Sequence, residues 1–126
     1  MRLVIVRHAE AAPGEPDELR SLTAQGREQA RALGELFRAV GIEPNVVLTS
    51  PLLRARETAA ALELGEPEVD DRLAPGASPE DVRDAAWGRG DTVLVVGHQP
   101  DCGRAMLAFS GREVLFPPAG YAELEL

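Results

Sequence analysis

Two histidines, the only ones in the chain, each come directly after an apolar run that is typical of a buried strand. His8 follows the residues "LVIVR", and His98 follows the residues "LVVG". Because the carboxyl ends of parallel strands meet at one edge of a sheet, both imidazoles are expected to face the same crevice. Imidazole can act there as a nucleophile, as a proton carrier or as a metal ligand.

Two arginines are expected at the same edge of the sheet. Arg7 directly precedes His8, and Arg54 lies in a helix that follows a third strand end, "LTSP". Helix N-termini add partial positive charge, so the pocket favours an anion, and phosphate above all. Arg56 carries the same charge as Arg54, but residues two apart point about 200° apart on a helix. Only one of these two arginines can therefore face the pocket.

Other interpretations of these residues stay open at this point. A histidine after a strand is more often a hydrogen-bonded structural residue than a catalyst, and Arg54 could be a solvated helix residue. The histidines could also bind a metal ion. However, Arg7 would repel a cation, and no acidic residue adjoins His98 until Asp101. We therefore predict no metal site and no cofactor.

The composition limits the class of protein. With 126 residues, of which 44% are hydrophobic, the chain fits one domain over residues 1–126 with a sizeable core. A net charge of −8 repels nucleic acids and anionic membranes, so neither is predicted as a partner. We find no transmembrane run and no secretory signal, and we predict a cytoplasmic protein. The single Cys102 cannot form an internal disulfide.

Strand patterns alternate with helix patterns along the chain, which predicts an α/β sandwich. The predicted strands are residues 2–6, 45–48 and 92–96. The predicted helices are one from the N-cap Thr23 to Val40, one from the N-cap Ser50 to about Leu64, a short one over residues 79–86, and one that begins near Gln99 or Pro100. Residues 9–21 are predicted as a loop with a solvated acidic stretch at 15–18, and residues 65–79 as a connection. The end of the chain, "REVLF" and "YAELEL" around Gly120, is predicted as a hairpin at the sheet edge.

Four blocks of the sequence, in this order, resemble the histidine phosphatase superfamily. They are "VRHAE", "LTAQGREQARALGELF", "LTSPLLRARETA" and "VGHQP". The second block matches the family pattern at Leu22, Thr23, Gly26, Gln29, Ala30 and Leu33. The short chain and "RHAE" are most similar to the SixA-type phosphohistidine phosphatases. The resemblance implies a three-layer α/β/α sandwich with a mostly parallel central sheet, like that of the phosphoglycerate mutases.

The resemblance also implies a role for each site residue. His8 is then the nucleophile that accepts the phosphoryl group, while Arg7, Arg54 and His98 hold its oxygens and Arg20 lies at the pocket rim. The physical chemistry agrees, because guanidinium groups neutralise the phosphoryl oxygens and disfavour the protonated form of His8. The expected activity is that of a metal-independent phosphatase with a phosphohistidine intermediate.

A general acid for the leaving group is not evident in the sequence. Where the superfamily often supplies one, Arg72 stands beside Asp71, and Glu10 is a second candidate. The absence of a clear acid favours a substrate with a good leaving group, so we predict phosphohistidine on a histidine phosphotransfer or carrier protein. The alternatives are a phosphatase of small phosphorylated metabolites and an inactive phosphate-recognition module.

Overall fold

A five-stranded sheet lies at the centre of the computed structural model, which describes all of residues 1–126. The strands are β1 (Arg2–Arg7), β2 (Val46–Thr49), β3 (Glu68–Val69), β4 (Thr92–Gly97) and β5 (Tyr121–Glu125). Their order is β3-β2-β4-β1-β5, and only β5 is antiparallel to its neighbour. The mostly parallel sheet confirms the predicted fold class.

Four helices cover the two faces of the sheet. They are α1 (Ala24–Ala39), α2 (Leu53–Ala61), α3 (Pro79–Ala86) and α4 (Asp101–Ser110). Val4 and Val6 of β1 pack against buried residues of α1 and α2. Leu3 and Ile5 point to the opposite face and pack against buried residues of α3 and α4. Alternation of side chains along the strand thus builds the predicted three-layer sandwich. None of the helices is both long and apolar enough to cross a membrane.

The N-terminus of α1 packs closely against the chain just beyond β1. Thr23 caps this helix, since its hydroxyl accepts a hydrogen bond from the Gly26 amide at 2.9 Å. A Cβ at Gly26 would lie 2.0 Å from the carbonyl oxygen of Glu10. Only glycine permits this approach, which places the helix beside the residues that follow His8.

The predicted N-cap at Ser50 is wrong, because α2 begins three residues later, at Leu53. The backbone amide of Ser50 instead continues the sheet and donates to the carbonyl oxygen of Val96 at 3.0 Å. The Ser50 side chain is fully buried and lies beside His98. The helix also ends at Ala61 rather than near Leu64.

The predicted C-terminal hairpin is also wrong, although β5 does lie at the sheet edge. Residues 112–116 form no strand, and β5 pairs with β1 instead. The turn before β5 is bonded to the end of β1, because the Arg7 amide donates to the Gly120 carbonyl at 2.9 Å and the Ala119 amide donates to the His8 carbonyl at 3.1 Å. The predicted connection at 65–79 contains β3 and a short 3-10 turn at Asp71–Leu73.

Candidate active site

His8 and His98 directly follow the ends of two neighbouring parallel strands, β1 and β4. Arg7 at the end of β1 is in register with Gly97 at the end of β4. The His8 amide continues this pairing and donates to the Gly97 carbonyl at 3.0 Å. The ring centroids of His8 and His98 are consequently 5.3 Å apart, with 57° between the ring planes. Parallel pairing thus brings together two residues that are 90 positions apart in the sequence.

The His8 ring presents a lone pair at Nε2. Its Nδ1 lies 2.7 Å from the carbonyl oxygen of Ala9. A carbonyl can only accept, so Nδ1 carries the hydrogen and Nε2 is unprotonated. Burial lowers the pKa of His8 to about 4, and the charges of Arg54 and Arg7 act in the same direction, against the opposing effect of the Ala9 hydrogen bond. His8 is therefore neutral near pH 7, as a nucleophilic imidazole must be.

The His98 ring is buried and has one ring nitrogen without a partner. Its Nε2 lies 2.7 Å from the hydroxyl oxygen of Ser50, whereas the buried Nδ1 has no hydrogen-bond partner. Burial lowers the pKa of His98 to about 4, and the nearby His8 and Arg54 contribute to this shift. The site cluster, which consists of His8, His98, Arg7 and Arg54, therefore contains two neutral imidazoles.

Arg54 is buried and faces this cluster, whereas Arg56 is exposed and donates to the Pro51 carbonyl. The Arg54 guanidinium donates to the backbone oxygen of Asp17 at 2.9 Å and to its carboxylate at 3.2 Å. The other carboxylate oxygen of Asp17 lies 3.1 Å from the Arg20 guanidinium. These hydrogen bonds, from Arg20 first, lower the pKa of Asp17.

Arg7 completes the cationic groups of the site. One of its Nη atoms donates to the carbonyl oxygen of Phe116 at 2.9 Å. Its Nε is buried and has no partner. A buried guanidinium N–H without an acceptor is costly, and an anion bound at this point would satisfy it. Arg7 Nε and His98 Nδ1 are the two buried side-chain nitrogens that lack partners in the whole chain.

Thr58 connects the segment after His8 to α2. Its buried hydroxyl accepts from the Ala9 amide at 3.0 Å and donates to the Arg54 carbonyl at 2.7 Å. The one signal for this residue in the sequence is its position four residues after Arg54, which places both on the same helix face. Residues 15–18 are exposed, as predicted, but Asp17 also pairs with Arg54 and Arg20, and an acidic stretch alone does not signal such a pairing.

The two candidate acids lie outside this hydrogen-bonded cluster. The Glu10 carboxylate accepts from the Thr23 hydroxyl at 2.9 Å, at the start of α1. Asp71 is exposed on its 3-10 turn and makes no side-chain hydrogen bond, while its neighbour Arg72 pairs with Asp70. No group of three or more His, Cys, Asp and Glu side chains is placed to hold a metal ion. The side chains that do converge are suited to an anion.

Comparison with known proteins decides the family. The sequence model of the histidine phosphatase superfamily (branch 1) matches residues 3–78, a range that includes His8 and Arg54. The chain belongs to the histidine phosphatase superfamily. An uncharacterized protein of Picosynechococcus sp. is 40% identical over an alignment 116 residues long, and the match covers 82% of this chain and 69% of that protein. The mitochondrial serine/threonine-protein phosphatase Pgam5 of Drosophila persimilis is 40% identical over 58 residues, which cover 45% of this chain and 20% of Pgam5.

The structural comparison agrees with this family and with the SixA resemblance. The protein histidine phosphatase SixA in complex with tungstate superimposes with a TM-score of 0.90 at 26% sequence identity. The match covers 100% of this chain and 88% of SixA. Superfamily membership supports a phosphatase activity, which is the enzyme class predicted from the sequence.

The lowered pKa values of the two histidines predict an unusual titration. In the unliganded protein, the ring-proton resonances of His8 and His98 should stay unchanged as the pH falls from 8 to about 5 and titrate near pH 4. The histidines of the unfolded chain take up protons at the ordinary pKa of about 6.5, whereas those of the folded chain do so only near 4. The free energy of unfolding should therefore decrease as the pH falls from about 6.5 to about 4. An NMR titration measures both rings, and a midpoint near 6.5 for either ring would contradict the expected burial.

Proposed function

We propose that the protein is a metal-independent phosphatase that moves a phosphoryl group from phosphohistidine on a protein to Nε2 of its own His8, and then to water. The observation that carries the proposal is the lone pair at Nε2 of a neutral His8, beside a cluster whose remaining free donors suit an anion. Similarity to SixA, whose structure was determined with the oxyanion tungstate, supports this choice of substrate.

The first step forms a bond between His8 Nε2 and phosphorus while the bond from phosphorus to the leaving group breaks. Arg7, Arg54 and His98 hold the equatorial oxygens and neutralise their charge, as in-line phosphoryl transfer requires. The His8 ring gains positive charge as Nε2 is phosphorylated. The Ala9 carbonyl, which accepts from Nδ1 at 2.7 Å, stabilises that charge.

The second step is hydrolysis of the phosphohistidine intermediate. Water attacks the phosphorus atom, the bond to Nε2 breaks, and the lone pair returns to the His8 ring. Phosphate and a proton are released, which restores the neutral histidine. Arg7 and Arg54 hold the same oxygens in both steps, so the same two side chains neutralise the phosphoryl charge throughout the cycle.

The carboxylates around the site support this choice of substrate. Asp17 is ion-paired with two arginines, which keeps it ionised and unable to donate a proton. Glu10 and Asp71 make no hydrogen bond to the cluster. An imidazole leaving group has an ordinary pKa near 6.5 and can carry its own proton as it departs, whereas an alkoxide needs a general acid.

The substrate proposal predicts a strong dependence on the leaving group. Because general-acid assistance is worth about 10² to 10⁴ in rate, alkyl phosphates should react at least about 10²-fold more slowly than a phosphohistidyl protein or an activated aryl phosphate. The measurement is kcat/KM for all three classes at one pH, with a metal chelator present throughout. Asp71→Asn and Glu10→Gln should leave the ranking unchanged.

Other outcomes would point to other functions. Comparable rates on alkyl phosphates, lost selectively in either carboxylate variant, would identify an acid and favour a phosphatase of small phosphorylated metabolites. Binding of phosphate without release from any substrate would favour a phosphate-recognition module. Strict dependence on an added divalent ion would contradict the metal-independent mechanism.

A further inference from the structure

We propose that Ser50 is a positioning residue that keeps the hydrogen of His98 on Nδ1, so that His98 meets the phosphoryl group as a donor. The inference rests on the proposed function in one respect, namely that His98 contacts the phosphoryl oxygens. Ser50 was expected only to cap a helix. In the structure it is fully buried, with its hydroxyl oxygen 2.7 Å from Nε2 of His98.

The direction of this hydrogen bond follows from the partners of the Ser50 hydroxyl. The Leu52 amide donates to the hydroxyl oxygen at 3.2 Å, which uses one acceptor position. The only other partner of the hydroxyl is His98 Nε2. If the hydroxyl donates its hydrogen to Nε2, every polar atom of Ser50 is satisfied and the ring hydrogen of His98 must reside on Nδ1.

The opposite direction leaves two buried atoms unsatisfied instead of one. If Nε2 carried the hydrogen and donated to Ser50, the hydroxyl hydrogen would have no acceptor inside the protein. In the proposed direction only Nδ1–H lacks a partner, and a bound phosphoryl oxygen would satisfy it, whereas the opposite direction also leaves the Nδ1 lone pair unpaired. A protonated ring with hydrogen on both nitrogens is disfavoured, because burial lowers the pKa of His98 to about 4.

Both histidines therefore carry their hydrogen on Nδ1, but each presents a different ring nitrogen to the phosphoryl group. The Ala9 carbonyl engages Nδ1–H of His8 and leaves the lone pair at Nε2 free. The Ser50 hydroxyl engages Nε2 of His98 and leaves Nδ1–H free, which is the ring atom without a partner. One ring thus offers a nucleophile and the other offers a hydrogen-bond donor to the same phosphoryl group. A lone pair at Nδ1 would instead repel a phosphoryl oxygen.

The tautomer can be measured directly by nitrogen NMR of the unliganded protein with labelled histidine. In the wild-type protein, Nε2 of His98 should show the chemical shift of an unprotonated ring nitrogen, and Nδ1 that of an N–H. In Ser50→Ala the hydrogen should move in whole or in part to Nε2. Thr49→Val is the matched control, because it removes an equally buried hydroxyl that bonds only to a backbone carbonyl. It should leave the His98 signals as they are.

Kinetics test whether the tautomer matters for the reaction. Ser50→Ala should reduce kcat/KM by about 10- to 100-fold, by analogy with the loss of a group that orients a metal-bound imidazole. In a His98→Ala background the same substitution should have little further effect, because Ser50 acts through His98. Thr49→Val should stay within about twofold of wild type, which is an effect below 0.5 kcal/mol.

Two results would overturn the proposal. The first is a wild-type His98 with its hydrogen on Nε2, and this result is decisive even if Ser50→Ala fails to fold. The second is a full loss from Ser50→Ala in the His98→Ala background, since Ser50 would then act by another route. The spectrum needs neither substrate nor turnover, so it is independent of whether phosphohistidine is the substrate.

Discussion

Replacing His8 by alanine is expected to abolish turnover, with a loss in kcat on the order of 10⁶-fold, the size found when a covalent nucleophile is removed. With the tautomers proposed above, no other unprotonated nitrogen of the two histidines is free, because Ser50 engages Nε2 of His98 and Nδ1 carries the hydrogen. Phosphate release from a phosphohistidyl protein measures the effect. Circular dichroism of the variant serves as the check on folding.

Binding provides the control for this variant. The guanidinium groups of Arg7 and Arg54 and the His98 ring remain in His8→Ala, so the variant should still bind inorganic phosphate. Retained binding with lost turnover would separate a missing nucleophile from a collapsed pocket. Turnover near the wild-type rate would show that His8 does not accept the phosphoryl group.

Removal of the Arg54 guanidinium is expected to have the second largest effect. Arg54→Ala should reduce kcat/KM by about 100-fold, or roughly 3 kcal/mol of transition-state stabilisation, by analogy with the loss of one preorganised oxyanion donor. The matched control is Arg56→Ala on the same helix. Arg56 is exposed and donates to the Pro51 carbonyl, so its loss should change the rate by no more than about twofold.

Arg54 also binds Asp17, so further variants are needed to separate an effect on the phosphoryl group from an effect on the local structure around Asp17. Arg54→Lys keeps the charge but loses the planar fork that contacts the backbone and the carboxylate of Asp17. Asp17→Asn keeps the backbone contact and removes only the negative charge. If Arg54 acts on the phosphoryl group, both arginine variants should be slower than Asp17→Asn. A larger effect of Arg56→Ala than of Arg54→Ala would contradict the proposal that Arg54 contacts the phosphoryl oxygens.

The sheet and the strand-end residues were predictable because their signals are local. Continuous apolar runs such as residues 3–6 are typical of strands that are covered on both faces, and the structure buries all four residues. The rule that parallel strands end at one edge then places His8 and His98 together. The spacing of Arg54 and Arg56 was also sufficient to show that only one could face inward.

The remaining features depend on contacts between distant parts of the chain. Ser50 followed by Pro51 has the pattern of a helix start, and the pattern is the same whether the hydroxyl caps a helix or reaches a histidine 48 residues away. Asp17 similarly meets Arg54 across 37 residues. The strand β5 pairs with the opposite end of the chain, at β1, rather than with the nearby apolar residues. Local propensity carries no information about such partners.

The most direct measurement is rapid quenching of the wild-type enzyme during turnover of a radiolabelled phosphohistidyl protein. The account predicts a phosphoryl group on Nε2 of His8, stable in alkali and labile in acid as a phosphoramidate is, which peptide mapping under alkaline conditions would locate. His8→Ala should show no such label. An acid-stable adduct on a hydroxyl side chain, or the same label in His8→Ala, would contradict a phosphohistidine intermediate at His8.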